Sequence, residues 1–354
     1  MDRDSNRPAG IREIAETLGI SIGTVDRALH GRSGVSPKTR DKVLKTAQRL
    51  NYTPNVVARS LRLNRRLRIG VFLPEQISSF FDPIRDGIRS AAENWSGSVV
   101  EVIFHAYPRL GEGEIKAMQA ANWKTFDGVI LAPGDPAAMS MLARNCDTDP
   151  PLMYVATDAP RTTRLGAVTV DAVVSGAIAA ELLGELLPAG TPVVVFTGDL
   201  KVTDHADKLR GFAASLATLA PHLSLLPAIQ THELPEGAYD AALEVLRKCP
   251  EVGGIYINTA NSLPVLKAAA EVGALGKVKI ITTDLFSELI PLIESKYVFA
   301  SLYQRPFVQG KTAFEVLCRY LSAGIAPTLT YRMAPHIILR SNLSLFIDQS
   351  RELK

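Results

Sequence analysis

From residue 68 onward the chain alternates short, almost uninterrupted apolar runs with longer amphipathic stretches, and no other feature constrains its fold as strongly. Ile69–Leu73, Val99–Phe104, Gly128–Ala132, Leu152–Ala156, Ala167–Val170, Val193–Thr197, Gly254–Asn258, Val278–Thr283, Ala300–Tyr303 and His336–Leu339 read as strands. Residues 82–95, 172–187, 203–219, 261–273 and 306–322 carry the three-and-four spacing of helices. Strands that are apolar at nearly every position have no face to offer water, so they belong to parallel sheets covered by helices on both sides. Ten strands exceed one comfortable sheet of this kind. The pattern predicts an α/β body of two doubly wound parallel-sheet lobes, with a cleft into which loops at the strand carboxyl ends project.

The N-terminal stretch obeys a different rule. Its apolar residues, Ile11, Ile14, Ala15 and Leu18, then Val43, Leu44, Ala47 and Leu50, recur at helical spacing only, so the head is all α. Charge divides the chain at the same place. Residues 1–68 hold 15 lysines and arginines against six aspartates and glutamates, a net of +9, which leaves −6 for the rest of a chain whose overall formal charge is +3. A small cationic head on a larger acidic body favours a polyanion as the head's partner, because each neutralised phosphate releases condensed counterions. We expect three parts: residues 1–54 as a DNA-binding domain, 55–67 as a basic linker with one marginal helix, and 68–354 as the two-lobed body.

Within the head, the helical patterns Arg12–Leu18 and Ile22–Leu29 are separated by Gly19-Ile20-Ser21, the length and chemistry of a tight interhelical turn. Gly19 can take the left-handed conformation that stops the first helix, and Ser21 can cap the second. Ser36 and Pro37 start a third helix whose Val43, Leu44, Ala47 and Leu50 are expected to face the other two. With Val25, Ala28 and Leu29 turned inward, Ile22, Gly23, Asp26, Arg27 and His30 remain on the outer face of the second helix, where a major groove would meet them. Arg27 can donate two parallel hydrogen bonds to guanine O6 and N7, worth roughly 1–3 kcal/mol of discrimination, and Ile22 can touch a thymine methyl. Thr24, Lys38, Thr39 and Arg40 suit phosphate oxygens, with Ser21 beside them.

The order Ile14-Ala15, Leu18-Gly19-Ile20-Ser21, Thr24-Val25-Asp26-Arg27-Ala28-Leu29, Val35-Ser36-Pro37-Lys38-Thr39-Arg40, Leu50-Asn51-Tyr52-Thr53-Pro54-Asn55 and Ala58-Arg59-Ser60-Leu61 closely resembles the head of the LacI/GalR family of bacterial transcription regulators. The rest of the chain is more loosely similar to that family's periplasmic-binding-protein-like, type I, effector domain. The resemblance implies a homodimer, a palindromic operator and a sugar-sized effector. It makes Val56–Leu61 a hinge helix, with Ala58 in the minor groove and Leu61 wedged between base pairs, and it adds Tyr52 and Asn55 to the DNA-binding set. An apolar wedge of this kind can unstack a base step and kink DNA. Gly23 stands where a side chain commonly reads a base, and Asp26 where many relatives have serine, so the operator sequence does not carry over.

In the body, Phe80 and Phe81 follow the first strand in a loop aimed at the cleft and suit a stacking wall. Ala206–Phe212 resembles the family's segment ending in Arg-x-x-Gly-Phe and offers Lys208 and Arg210 as alternative cations. Asn258, Asn261, Asp284 and Gln304 fall at or just beyond strand carboxyl ends, and Asp158 completes the candidate effector set. By the resemblance, Asp284 and Gln304 match positions that bind ligand hydroxyls. A carboxylate, amides and a cation around an aromatic face would satisfy a sugar or another polyol.

Enzyme and cofactor readings find no anchor. Pro74-Glu75-Gln76 follows the first strand instead of G-x-G-x-x-G, and neither a P-loop nor a G-x-S-x-G sequence is present. The three cysteines are far apart and the six histidines lack metal-ligand spacing, so no metal and no cofactor are expected. The only polar knot near the cleft is His205 with Asp204 and Asp207, read as ligand contact or capping. The start has no apolar signal-like region, and no stretch is long enough to span a membrane, which predicts a cytoplasmic protein. The sequence thus predicts a DNA-binding transcriptional regulator, a repressor in form, controlled by a sugar-like effector. The alternatives are a cytoplasmic carbohydrate-binding or carbohydrate-modifying protein and a ligand-independent architectural DNA binder.

Overall fold

The computed structural model describes residues 11–29, 34–50, 66–97, 99–142 and 149–352. The head and the body are separate compact units.

Three helices form the head: α1 (Ile11–Leu18), α2 (Ile22–Leu29) and α3 (Pro37–Arg49). Ile14, Ala15, Val25, Ala28, Val43 and Ala47 make its core, with Leu18, Ile20, Leu29, Val35 and Leu50 packed around them. Leu44 departs from expectation and is exposed, while Thr46 is buried. Both lie on one α3 turn, and the face toward α1 and α2 is filled by Val43 and Ala47, four apart, leaving Leu44 to the side.

The body begins with β1 (Leu67–Pro74), α4 (Ser78–Glu93), β2 (Val100–Tyr107), α5 (Glu114–Ala120), β3 (Gly128–Leu131), α6 (Pro136–Leu142), β4 (Leu152–Val155) and β5 (Gly166–Val170). It continues with α7 (Ala172–Leu186), β6 (Pro192–Thr197), α8 (Thr203–Leu219), β7 (Ser224–Leu225), β8 (Ile229–Gln230), α9 (Pro235–Lys248), β9 (Gly254–Ile257), α10 (Leu263–Glu271), β10 (Lys279–Thr283), α11 (Ile290–Glu294) and β11 (Ala300–Tyr303). α12 (Pro306–Ala323), β12 (Thr330–Met333), β13 (His336–Ile338) and α13 (Leu343–Glu352) complete it.

One sheet runs β12-β5-β4-β3-β1-β2, all parallel. The other runs β13-β11-β10-β9-β6-β7, with β8 also on β6, and only β13 is antiparallel to its neighbour. Each sheet is buried on both faces. Ile69, Val71 and Leu73 of β1 pack on one side with α4 and α12, and Phe72 packs on the other with Tyr107, Met118 and Trp123. In β6, Val194 and Phe196 face one core and Val193 and Val195 the other. This two-sided burial is what the continuous apolar runs required.

Helix pairs seal the lobes through glycine. A methyl at Gly87 would lie 2.0 Å from the Phe307 carbonyl oxygen and one at Gly310 2.1 Å from that of Ile84, so α4 and α12 touch backbone to backbone. α7 and α8 repeat the device, with Gly176 against the Lys208 carbonyl and Gly211 against that of Val173. The chain passes between lobes three times, at Asp171, at Gln304–Arg305 and at Ala334–Pro335. β12, a strand the apolar pattern does not predict, creates the third crossing.

Candidate functional site

In the head, Gly19 has φ +63 and the Ile20 amide returns to the Ala15 carbonyl at 3.1 Å, which closes α1. The Thr24 amide donates to Ser21 Oγ at 3.1 Å and the Thr39 amide to Ser36 Oγ at 3.2 Å, so α2 and α3 begin with the same cap. Each cap also joins serine to threonine through their hydroxyls at 2.8 Å. Arg27, Gly23, Ser21 and Lys38 are exposed, Thr24, Thr39 and Arg40 half-buried. Ile22 is 49% exposed at the start of α2, an apolar side chain without a core to enter. His30, Tyr52, Asn55, Ala58 and Leu61, and the side chain of Asp26, lie outside the described residues.

In the body, the carboxyl ends of both sheets meet around a cavity lined by Ile77, Phe80 and Phe81 from one lobe and Asp204, Lys208 and Glu233 from the other. Phe80 and Phe81 sit within the first turns of α4, not in a loop, because α4 starts at Ser78, four residues earlier than the periodicity suggested. Their rings meet edge to face at 5.0 Å, and they fill the lobe core as well as the cavity wall.

A buried polar chain crosses the site. Asp284 accepts from the Gln304 amide at 3.0 Å and from Gln304 Nε2 at 2.6 Å. Gln304 Oε1 accepts from Lys208 Nζ at 2.8 Å, and Lys208 donates again to Asp204 Oδ2 at 2.6 Å. Gln309 holds the Gln304 carbonyl at 2.8 Å and accepts from the Ala156 amide. Because Lys208 can only donate and an ionised Asp284 only accept, the Gln304 amide has one permitted orientation. Burial pushes the Asp284 carboxyl up to about 6, with the Lys208 cation pulling the other way.

Beside this chain, His205 Nε2 lies 3.2 Å from Glu233 Oε1, and its Nδ1 lies 3.2 Å from the Asp199 carbonyl. Thr259 donates to the same Glu233 oxygen at 2.6 Å. Glu233 Oε2, Asp204 Oδ1 and Asn258 Oδ1 are buried without a hydrogen-bond partner. Asn258 holds the His205 carbonyl at 3.2 Å from behind the wall, and the Asn261 backbone is tied to Thr259.

Two candidates turn elsewhere. The Arg210 side chain is 67% exposed and pairs with Asp207, so Lys208 is the cation that enters the cavity. Asp158 is occupied by Arg164 at 2.8 Å and by the Ala159 amide at 2.7 Å, and burial raises its carboxyl above the usual range. Glu233 and Thr259 were not singled out from the sequence. Glu233 follows a two-residue strand, too short for any periodic signal.

Backbone strain collects here. Eight described non-glycine residues have positive φ, and six of them, Ile77, Ala156, His232, Glu233, Asp284 and Arg305, flank the cavity or the crossings. Left-handed backbone outside glycine costs on the order of 1–3 kcal/mol each and gathers at ligand clamps. The lobes are also tied directly, by Arg109 Nη1 to the His232 carbonyl at 2.7 Å, the Asp204 amide to Thr157 Oγ1 at 3.3 Å, and Gln76 to the Glu233 carbonyl. The cavity is about 30 Å³, against roughly 300–1,000 Å³ for small-molecule pockets, so a sugar-sized occupant requires the lobes to part. Among the described residues no group could hold a metal ion, and no helix is long and apolar enough to cross a membrane.

A helix-turn-helix unit and a two-lobed α/β receptor body on one polypeptide define a DNA-binding regulator that carries its own receptor domain. The chain belongs to the lacI family of bacterial regulatory proteins: residues 10–55 match the model of that description, and residues 69–325 match the model of the periplasmic binding protein domain. It is 26% identical to catabolite control protein A of Priestia megaterium over 323 residues, 88% of this chain and 92% of that one. It is 27% identical to the HTH-type transcriptional regulator DegA of Bacillus subtilis over 262 residues, 73% of this chain and 76% of that one. GanP, a glucose-galactose binding protein from Geobacillus stearothermophilus, superposes on 79% of this chain and 99% of its own with a TM-score of 0.70 at 21% identity. The fold is thus the one the sequence predicts, and the function is that of a transcriptional regulator.

Proposed function

We propose that the protein acts as a homodimeric repressor on a palindromic operator, with a sugar-sized polyol closing between its lobes as the effector. α2 lies along base edges, with Arg27 and Ile22 reading bases and Lys38, Thr39 and Arg40 holding phosphates. The observation that carries the effector reading is the chain Asp284–Gln304–Lys208–Asp204, a charged network set among the strand ends opposite Phe80 and Phe81. Buried charge of this kind is expensive as a structural element alone. Polar groups that converge on an aromatic wall between two lobes suit a ligand with hydroxyls on its edge and carbon on its face. A fold shared with a glucose-galactose binding protein supports the same class.

Effector and operator affinities are then coupled reciprocally through the lobe arrangement. Titrating a panel of pentoses, hexoses and inositols into a labelled palindromic operator, followed by fluorescence anisotropy, tests this directly. The expected outcome is sequence-specific binding that one compound shifts by about 5–150-fold. Its direction distinguishes inducer from corepressor. Specific binding indifferent to every compound would favour an architectural role, and absence of specific binding would remove the regulator reading.

A further inference from the structure

Granted that the cavity between the lobes is the effector site, its wall carries a chemical asymmetry. Lobe one contributes carbon there: Ile77, Phe80, Phe81, Leu110 and Ala156. Lobe two contributes the charged groups Asp204, His205, Lys208 and Glu233, with Asp284 one residue behind through Gln304. The two wall atoms that are buried without a partner, Glu233 Oε2 and Asp204 Oδ1, are both carboxylate oxygens. The one lysine is already shared between Asp204 and Gln304. His205 lies between two acceptors, Glu233 Oε1 and the Asp199 carbonyl, so both of its ring nitrogens are already engaged. The lining thus sets two carboxylates, Asp204 and Glu233, against one lysine, and a third carboxylate, Asp284, stands behind Gln304. The neighbouring carboxylates Asp158 and Asp207 are paired with Arg164 and Arg210.

We infer that the effector is an amine-bearing polyol, an amino sugar or aminocyclitol, whose ammonium group is received by Glu233 and Asp204 while its carbon face rests on Phe80 and Phe81. An ammonium brings three donors and one positive charge to a site short of both. A hydroxyl would supply a donor and leave the charge uncorrected. A phosphate would set more negative charge against two carboxylates, and the one lysine in the lining is already bound to Asp204 and Gln304.

The test is a thermal-shift and calorimetry series on the full-length protein, using hexosamines and aminocyclitols beside their uncharged parents, N-acetylated forms and phosphates. The expected result is that one free amine binds at least tenfold tighter than its uncharged parent and its N-acetyl form, with the phosphates weakest. Glu233→Gln and, independently, Asp204→Asn should each reduce that preference to less than threefold, with folding verified by circular dichroism. Tighter binding of an uncharged parent or a phosphate would overturn the amine while leaving the cleft as the effector site. A preference untouched by either substitution would overturn the placement. If no polyol of any charge binds, both the amine and the underlying effector reading fall.

Discussion

Asp284 follows β10 with φ +66, and its carboxyl is held at about 6 where an ordinary aspartate sits at 3.8. The folded protein therefore binds the proton more tightly than the unfolded chain. Its contribution to stability is complete below about 4 and is lost as pH rises through about 6, a change of roughly 2–3 kcal/mol. Asp284→Asn removes this dependence, so urea midpoints at pH 4.5 and 7.5 should diverge between wild type and variant; parallel midpoints would refute the raised carboxyl. Lys208 and Arg210 make a second contrast at this scale. Two residues apart on a helix they point about 200° from one another, so sequence establishes that only one can enter the cleft and not which. Lys208→Met strands Asp204 and Gln304 in the interior and should cost about 3–5 kcal/mol, whereas Arg210→Ala breaks an exposed pair worth about 0–1 kcal/mol. Equal losses in chemical denaturation would mean that the buried lysine carries no special weight. Asp284 and Gln304 were legible because each follows an apolar strand; Glu233 was not, because β8 is two residues long.

Among the elements, α4 with α12 and α7 with α8 pack through reciprocal glycines, a contact no periodicity announces. Either Gly87→Ala or Gly176→Ala puts a methyl about 2 Å from a carbonyl oxygen of the facing helix, which must move. Each should destabilise by about 1–3 kcal/mol. The two differ in consequence, because the carbonyl opposite Gly176 belongs to Lys208. We expect Gly176→Ala to weaken effector binding by calorimetry and Gly87→Ala to leave it within twofold; the reverse pattern would break the link between helix packing and the cavity. The short helices of the head were readable for the opposite reason. Their caps, Gly19, Ser21 and Ser36, act within a few residues of themselves.

For the molecule as a whole, lobe closure is held by few direct ties, and Arg109 makes one of them while also pairing with Glu112. Arg109→Ala removes a charge-assisted bond that is partly solvent-exposed, worth about 1 kcal/mol, or roughly fivefold in the open-to-closed ratio. Small-angle scattering should report a larger radius of gyration without effector, and effector affinity should fall by a similar factor; an unchanged radius would assign closure to the other ties. The sequence by itself determined ten of the thirteen described strands, the alternation that demands two covered sheets, and the capped helices of a cationic head. These depend on hydrophobic period and on capping, which act over a few residues. Only the tertiary structure decided which cation faces inward and that Asp204, Glu233 and Gln304 line one cavity, with Asp284 held behind Gln304. Those residues are brought together by sheet order and by three crossings between lobes, and proximity of that kind arises from the summed packing of distant elements, which leaves no local trace in the chain.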